Sequence, residues 1–330
     1  MKRYIVFILA LFYVLTAHSQ VIKGIVRDQK TKEPIYSASV YFNGTFGGTL
    51  TDQNGKFELE VKKYGKMPMT VSALGYYSVS VTDFLSHNPV EVYLAPKLFE
   101  LEEVVVKAKS HAWERKENLE IFRREFLGTT SNSFNCKIIN EDDLKFIYKS
   151  AKDTIKAYAL KPLIIDNKAL GFKVTYYLDK FEYCKMSGSF SFNGNAIFSE
   201  DTTLTDERKT YFERKRMDTY LGSRMQFFRA LWADDLNSAG FTVKNSANET
   251  LKSKLIVYSD GRSKYLRYLG SDMGIAYYSK QPTSFIIFSK DKVYFDGNGY
   301  FEPSALIWEG EMAKKRIADL LPFEYLPLEK

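Results

Sequence analysis

Alternating apolar and polar positions dominate the first third of the chain. Residues 57–62 alternate strictly between an apolar face and a charged face, and residues 38–43 and 90–94 repeat the pattern. A period of two predicts half-buried strands. The turn pairs Asn43-Gly44 and Asn54-Gly55, which reach positive φ at low cost, separate these strands. Short strands with frequent turns predict a β-sandwich.

The rest of the chain mixes helical and strand periodicity. Trp113 to Leu127 has apolar residues at helical spacing with Gly128 as a C-cap, and Thr205 to Ala239 predicts two helices broken near Gly222. A short helix is predicted from Met312 to Leu320. Strands rich in Tyr, Phe and Ile are predicted at 144–149, 154–160, 171–185, 187–198, from 241, and at 255–258, 265–269, 284–288 and 292–295.

These patterns predict a mainly β fold with some α. A sandwich is followed by a mixed, β-rich α+β domain. The 23 Tyr and 25 Phe residues suit β-sheets, where flat side chains pair across strands. Composition shifts at Lys109-Ser110-His111, so we predict a first domain at 20–108, a linker at 109–115 and a second domain at 116–330.

The first nineteen residues resemble an export signal rather than part of a fold. Lys2 and Arg3 precede an apolar stretch from Tyr4 to Leu15, and the small residues Ala17 and Ser19 favour cleavage before Gln20. The alternative is an uncleaved anchor, but twelve apolar residues are too few to span a bilayer. No transmembrane helix is predicted in the mature chain.

Charge argues against a nucleic-acid partner. The chain has 47 basic and 40 acidic side chains, and loss of Lys2 and Arg3 with the signal leaves 45 basic ones. This small excess is spread over the chain, whereas nucleic-acid binding relies on clustered positive charge.

Residues suited to metal or nucleophilic chemistry are sparse. The mature histidines are His87 and His111, without zinc spacing, and no serine-hydrolase elbow or nucleotide loop is present. Asp52, Asn54 and Gly55 supply too few oxygens for calcium and predict a tight hairpin instead. No residue is predicted to be catalytic or to hold a cofactor or metal.

Cys136 and Cys184 are the two cysteines of the chain. In an exported protein they can form a disulfide. The alternative is two buried free thiols, and sequence spacing does not decide between them.

Paired carboxylates are the remaining candidates for catalysis, since a glycosidase needs two suitably spaced acids and no local motif. The alternative is that each pair marks a turn, a helix end or a solvated face. The candidate pairs are Glu141 with Asp142 or Asp143, Asp234 with Asp235, and Glu309 with Glu311.

Five short pieces of the first domain carry a family resemblance. They are G-I-V-R-D at 24–28, the segment 34–40, G-T-L-T-D-Q-N-G-K-F at 48–57, A-L-G-Y at 73–76 and L-E-E-V-V-V at 101–106. Together they resemble the carboxypeptidase-regulatory-like domain. The resemblance implies a transthyretin-like β-sandwich in a Bacteroidetes envelope protein, without zinc ligands or catalysis. The second region resembles uncharacterised Bacteroidetes proteins that carry the same first domain.

The expected function is therefore a non-enzymatic binding or assembly role in the cell envelope. The protein is expected to be exported and periplasmic or outer-membrane-associated, or secreted, with the sandwich docking an envelope protein or glycan through an exposed edge or loops. The alternative is a carboxylate-dependent hydrolase in residues 116–330 with the sandwich as a spacer. A purely structural role is a third possibility. Deletion of residues 21–108 is expected to leave the remainder folded.

Overall fold

A computed structural model describes residues 21–61, 64, 67–86, 89–97, 111–149, 153–159, 161–200 and 205–327. The predicted signal, His87 and the piece at 101–106 lie outside these residues. The strands are β1 (Val21–Asp28), β2 (Ser39–Phe42), β3 (Gly48–Leu50), β4 (Lys56–Glu60), β5 (Met69–Ser72), β6 (Val79–Val81), β7 (Val90–Leu94), β8 (Cys136–Ile138), β9 (Leu144–Lys149), β10 (Thr154–Ala159), β11 (Leu163–Asn167), β12 (Phe172–Cys184), β13 (Phe190–Glu200), β14 (Phe241–Lys244), β15 (Thr250–Leu251), β16 (Val257–Asp260), β17 (Ser263–Arg267), β18 (Met273–Tyr277), β19 (Ser284–Phe288), β20 (Lys292–Phe295) and β21 (Leu306–Gly310). The α-helices are α1 (His111–Leu127), α2 (Asp206–Tyr220), α3 (Arg224–Ala233), α4 (Ser253–Ile256) and α5 (Glu311–Lys314). The predicted fold class, mainly β with some α, is confirmed. None of the described helices has the length and apolar character needed to cross a membrane.

The first region is a sandwich of a three-stranded sheet, β4-β1-β7, and a four-stranded sheet, β3-β2-β5-β6. β1 runs parallel to β7 and antiparallel to β4. In β4, Phe57 and Leu59 are buried while the charged residues between and beside them are exposed, as the alternation predicts. The strands and the two sheets of the predicted sandwich are therefore confirmed.

The two central strands of the four-stranded sheet, β2 and β5, are buried on both faces. Every residue of β2 and of β5 is buried, unlike the alternating residues of β1, β4 and β7. The outer face of this sheet lies on β12 and β13 of the second region. The Tyr41 and Tyr177 rings stack with centroids 5.9 Å apart, Ser39 Oγ and Tyr177 Oη share a hydrogen bond of 2.7 Å, and the Gly44 amide donates to the Ala196 carbonyl at 2.8 Å. The sandwich therefore packs directly against the central sheet of the second region.

The central sheet is organised around the 13-residue strand β12. One edge of β12 pairs with β13 along most of its length, and the other pairs first with β11 and then with β10. β8 and β9 complete the sheet. Phe122 and Phe126 of α1 stack at 4.8 Å and lie in the core beneath this sheet. The helix predicted from Trp113 is thus present, and it begins two residues earlier, within the segment predicted as a linker.

Residues 241–310 enclose a further core. A five-stranded sheet, β15-β14-β18-β19-β21, and a three-stranded sheet, β16-β17-β20, cover α3. Phe228 of α3 is fully buried and stacks on Phe301 with centroids 4.6 Å apart. The two helices predicted around Gly222 are α2 and α3, so the break is confirmed. Residues 116–330, predicted as one domain, contain two hydrophobic cores.

Residues 321–325, which we call the C-terminal strap, connect these bodies. The Phe323 amide donates to the Gly44 carbonyl at 2.9 Å, and Phe323 packs against the sandwich core. Glu324 Oε1 accepts from the Phe46 amide at 2.8 Å and from Tyr64 Oη at 2.6 Å. Tyr325 is buried in the core beneath the central sheet. One short segment thus touches the sandwich and the central body together.

The single helix predicted from Met312 to Leu320 is wrong. α5 ends at Lys314, and Ile317–Asp319 forms a separate 3-10 turn. Lys315 lies between them and pairs with Gly128, while its Nζ donates to the carbonyls of Thr219 and Leu221 at 3.1 and 2.8 Å. Tertiary hydrogen bonds therefore override the local helical pattern.

Candidate ligand-binding site

The first group of candidate carboxylates, Glu141, Asp142 and Asp143, takes part in local contacts. Glu141 accepts from Arg123 Nε at 2.7 Å, Asp142 is exposed, and Asp143 Oδ2 accepts from Asn140 Nδ2 at 2.9 Å. All three form a short 3-10 turn. This geometry is that of a local turn before β9, held by a neighbouring arginine.

The other two candidate pairs are on the surface. Asp234 is the left-handed C-cap of α3, with φ 58°, and Asp235 follows it in an exposed position. Glu309 and Glu311 are both exposed, and Glu311 forms an ion pair with Lys314. These two pairs line neither of the clefts considered below.

Asp52 closes a hairpin turn. Its Oδ1 accepts from the backbone amides of Asn54 and Lys56, each at 2.8 Å, and Gly55 adopts φ 74°. The backbone therefore satisfies the carboxylate oxygen that a calcium loop would offer to a cation. His111, the other residue weighed for metal chemistry, is the first residue of α1.

Cys136 and Cys184 are not joined by a disulfide. Cys136 pairs with Asn167, which pairs with Phe172 at the start of β12, whereas Cys184 ends that strand. Twelve residues of strand correspond to about 40 Å, while a disulfide needs Cα atoms within about 7 Å. Burial raises the pKa of the Cys136 thiol to about 12, and hydrogen bonding from Ser187 lowers the pKa of the Cys184 thiol.

A cleft at one end of the sandwich gathers several groups that can bind a ligand. Two carboxylates, a hydroxyl and two tyrosines line it, together with two apolar residues. The lining residues are Asp28, Thr31, Glu33, Pro34, Ile35, Tyr36 and Tyr76. The Tyr36 side chain is 66% exposed, so its ring is available to a ligand.

Hydrogen bonds hold this cleft in shape. Asp28 Oδ1 accepts from the amides of Lys30 at 2.6 Å and Thr31 at 2.9 Å, and its Oδ2 accepts from Tyr76 Oη at 2.9 Å. The Thr31 amide, the Tyr76 hydroxyl and then the Lys30 amide hold the pKa of Asp28 below its usual range. Asp28 is thus a positioning group, whereas Glu33, Thr31 and the tyrosine rings face the cleft. A preorganised cleft loses less entropy on binding.

The cleft joins three of the five pieces that carry the family resemblance. Asp28 ends the first piece, Tyr36 belongs to the second and Tyr76 ends A-L-G-Y. Sequence reasoning quoted all three residues and assigned them no role. The sequence signal for this site is an acid, Asp28, and a tyrosine, Tyr76, at the ends of two of the pieces. The two residues are 48 positions apart, so their hydrogen bond depends on the folded sandwich.

A second cleft lies between the sandwich and the central sheet. Lys97, Lys161, Leu74 and Tyr177 are among its lining residues. Beside it, Asp179 forms an ion pair with Lys97 at 3.4 Å and accepts from Ser78 Oγ at 3.3 Å and Asn195 Nδ2 at 3.2 Å. The Lys97 and Asp179 side chains are largely buried. The Lys97 and Asp179 charges pair with each other at the junction between the sandwich and the central sheet. We therefore assign this cleft a structural role.

Asp296 is a buried carboxylate near the strap. Its Oδ1 accepts from the amides of Asn298 at 2.9 Å and Tyr300 at 3.1 Å, and its Oδ2 is buried. Burial raises the pKa of this group above its ordinary value. A carboxyl whose pKa is higher in the folded state favours folding most when protonated, and this contribution is lost as pH rises from near 4 through the raised pKa.

The variant Asp296→Asn keeps the Oδ1 acceptor and removes the charge. We expect the difference in unfolding free energy, variant minus wild type, to increase from about pH 4 to about pH 7. The reason is that the wild type acquires a buried charge over this range, whereas the variant does not. Urea unfolding at both pH values measures this difference. Asp272→Asn, at an exposed position, is the matched control. A pH-independent difference would contradict the expectation.

Comparison with known proteins identifies the first domain. Residues 22–106 match the family model described as CarboxypepD_reg-like domain, and all five resemblance pieces fall within this range. The resemblance is therefore confirmed for the sandwich. No curated protein matches the chain.

Among solved structures, a 9R-lipoxygenase from Cyanothece PCC8801 aligns with 64% of this chain at 12% identity and a TM-score of 0.18. The alignment covers 48% of that lipoxygenase, about half its length. A similarity this low carries no argument about fold or activity.

Proposed function

We propose that this chain is an exported, non-enzymatic binding or assembly protein of the bacterial cell envelope, and that the cleft at the end of the sandwich binds a glycan. The single observation that carries the proposal is the meeting of Asp28, Tyr36 and Tyr76 in one preorganised cleft. The family match places this cleft in a CarboxypepD_reg-like domain. The resemblance to Bacteroidetes envelope proteins and the export signal predicted at 1–19 support the location.

The chemistry of the lining groups favours a sugar. Tyr36 and Tyr76 offer rings with an apolar face and a polar tip, which suits ligands that are wet on one side. Glu33 and Thr31 offer an acceptor and a hydroxyl that can hydrogen-bond to ring hydroxyls. A small number of polar groups placed beside aromatic surface is the usual composition of a ligand cleft.

The arrangement of the acids supports a binding role over the hydrolase alternative. Glycoside hydrolysis needs two carboxyl groups about 5 to 10 Å apart on either side of a bound sugar. In the cleft, three hydrogen bonds occupy the Asp28 carboxylate, which leaves Glu33 as the acid able to meet a ligand. The pairs in residues 116–330 lie on surface turns and helix ends.

Replacement of Tyr36 by serine is expected to weaken glycan binding about tenfold, because an aromatic contact contributes roughly 1 to 1.5 kcal/mol. Binding is measured with the chain from Gln20 on a glycan array, and then by mild cross-linking and affinity purification from the native envelope. Phe134→Ser is the control, since Phe134 is 83% exposed and lies outside the sandwich.

Three outcomes would contradict parts of this proposal. Equal glycan binding by wild type and Tyr36→Ser would remove the cleft from the proposed site. Recovery of a protein partner with no glycan signal would change the ligand class. Release of shortened glycan by wild type would favour the carboxylate-dependent hydrolase.

A further inference from the structure

One face of the sheet β16-β17-β20 carries three tyrosines in a row. Tyr258 of β16 pairs directly with Tyr265 of β17, and Tyr265 pairs with Tyr294 of β20. The neighbouring ring centroids lie 6.2 and 5.9 Å apart. Because directly paired residues share a face of a sheet, the rings form one line across the strands, which we call the tyrosine row. The row crosses two strand spacings, about 10 Å, so it suits an extended ligand.

The tyrosine row faces away from the core that this sheet covers. Leu266 and Val293, which alternate with the tyrosines, are fully buried in that core. At the outer end of the row, Tyr258 is 45% exposed and lies on β16, an edge strand. At the inner end, Tyr294 packs against the sandwich core and contacts Tyr300 with ring centroids 6.2 Å apart. The row is thus fixed at one end and open to solvent at the other.

Two cations lie directly opposite each other beside this row. Arg267 of β17 pairs with Lys292 of β20 on the same face as the tyrosines, and both residues are exposed. Arg267 Nη2 donates to the Leu255 carbonyl at 3.0 Å, and Lys292 Nζ lies 5.0 Å from the centroid of the Tyr265 ring. Among the described residues, no carboxylate forms an ion pair with either cation. Like charges placed opposite each other destabilise a sheet, so packing alone does not account for this pair.

The cations and the tyrosine row together suit an acidic sugar polymer. A carboxylate or sulfate between Arg267 and Lys292 would offset their repulsion and accept charge-assisted hydrogen bonds. The tyrosine rings offer an apolar face and a polar tip to a sugar that stays wet on its other side.

The composition of this face differs from that of a protein interface, whose centre is apolar and depleted of charged residues. None of the outward positions of these three strands is aliphatic, and two opposed cations lie among them. By strand alternation these positions are Tyr258, Asp260, Ser263, Tyr265, Arg267, Lys292 and Tyr294. The face therefore fits a charged glycan better than a protein.

We propose that this face binds a linear acidic polysaccharide, with one acidic group between Arg267 and Lys292 and the sugar rings along the tyrosine row. The acid on the same face, Asp260, pairs with Ser263, about 13 Å along β17 from Arg267. The charges thus direct the acidic group to one end of the face. This surface is separate from the cleft at the end of the sandwich and does not depend on it.

The ligand class is tested by the binding of the chain from Gln20 to immobilised polygalacturonate, chondroitin sulfate and neutral dextran. We expect binding to the two acidic polymers, weaker at high salt because salt screens exposed charges, and none to dextran. Failure to bind both acidic polymers would overturn the proposal. Equal binding to dextran would overturn it as well, because the cations would then have no role.

Variants test whether this face is the site. Arg267→Ala, Lys292→Gln and Tyr258→Ser should each weaken binding to the acidic polymers about tenfold. The matched controls are Arg214→Ala and Tyr211→Ser on α2, where Arg214 is exposed and Tyr211 is 45% exposed like Tyr258. Both controls should bind as wild type does. Equal losses for Arg214→Ala and Arg267→Ala would indicate general attraction to a basic protein and would overturn the site.

Thermal unfolding separates a binding role from a packing role. Lys292→Gln removes a like charge opposite Arg267, so the variant should keep the thermal midpoint of the free protein while it loses affinity. A lower midpoint with unchanged affinity would show that the pair is structural and would overturn the site.

The variant Tyr36→Ser separates this proposal from the cleft of the sandwich. It should bind the acidic polymers as wild type does, because Tyr36 lies outside the sheet β16-β17-β20. Loss of acidic-polymer binding in Tyr36→Ser, with Tyr258→Ser unaffected, would place the acidic ligand in the sandwich cleft. That result would overturn the site on this sheet and leave the proposed function intact.

Discussion

Replacement of Arg229 by alanine is expected to lower the free energy of unfolding by on the order of 4 kcal/mol, because three part-buried carbonyls lose their donor and each fully buried unpaired group would cost about 1 to 3 kcal/mol. Arg229 lies on α3 and donates to three carbonyls: Nε to Asn298 at 2.9 Å, Nη1 to Tyr325 at 2.8 Å and Nη2 to Phe323 at 3.1 Å. Its guanidinium also lies 5.4 Å from the centroid of the Tyr220 ring. The Arg229 side chain therefore holds the C-terminal strap against α3, which belongs to the core enclosed by residues 241–310.

Urea unfolding tests this expectation, with the midpoint falling and the slope unchanged. Arg229→Lys keeps the charge but has one compact ammonium group in place of a planar fork, so it should lose an intermediate amount. Arg214→Ala, at an exposed position of α2, is the matched control and should stay within about 0.5 kcal/mol of wild type. A loss that small for Arg229→Ala would show that the strap is not held by this residue.

Deletion of residues 21–108 is expected to leave residues 109–330 unable to form a soluble, cooperative fold. The sequence led to the opposite expectation, because the sandwich looked like a separable module. In the structure its four-stranded sheet covers Tyr177, and Phe46 contacts Phe172 and Phe198 with ring centroids 5.9 and 6.1 Å apart. Removing that layer exposes these aromatic rings to solvent. It also leaves Asp179 without its partners Lys97 and Ser78.

Solubility, near-ultraviolet circular dichroism and dye binding measure the outcome. The deleted chain should aggregate, or lose tertiary signal and expose apolar surface. Supplying residues 20–108 as a separate chain should recover soluble protein if the lost layer is the cause. A soluble remainder with a single sharp unfolding transition would mean that the junction contributes little.

The sequence predicts the parts of the fold that depend on local pattern. Strict alternation located β4, and the glycine at 222 located the break between α2 and α3. Local pattern did not predict strands whose conformation depends on pairing with neighbouring strands. Asp and Asn favour turns, yet Asp166 and Asn167 both end β11 and pair with Lys173 and Phe172.

β18 was missed for a different reason. Its Gly274 and Ala276 lack the bulk that marks a strand, but an added Cβ at Gly274 would meet Pro282 at 2.7 Å, so close packing requires a small residue there. The site shows the same limit. Asp28 and Tyr76 were both quoted from the sequence, but only the folded sandwich brings their oxygens to 2.9 Å.

The C-terminal strap follows every strand of the described residues in the chain, yet it bonds to Gly44 and Phe46 near the beginning. Synthesis delivers the amino-terminal end first. The sandwich can therefore form early and pack on β12 and β13, but the contacts that Phe323 and Glu324 make with it form only after the strap emerges. A polypeptide interrupted before Phe323 would carry every strand of the described residues and still lack the hydrogen bonds that the strap makes to Gly44, Phe46 and Tyr64.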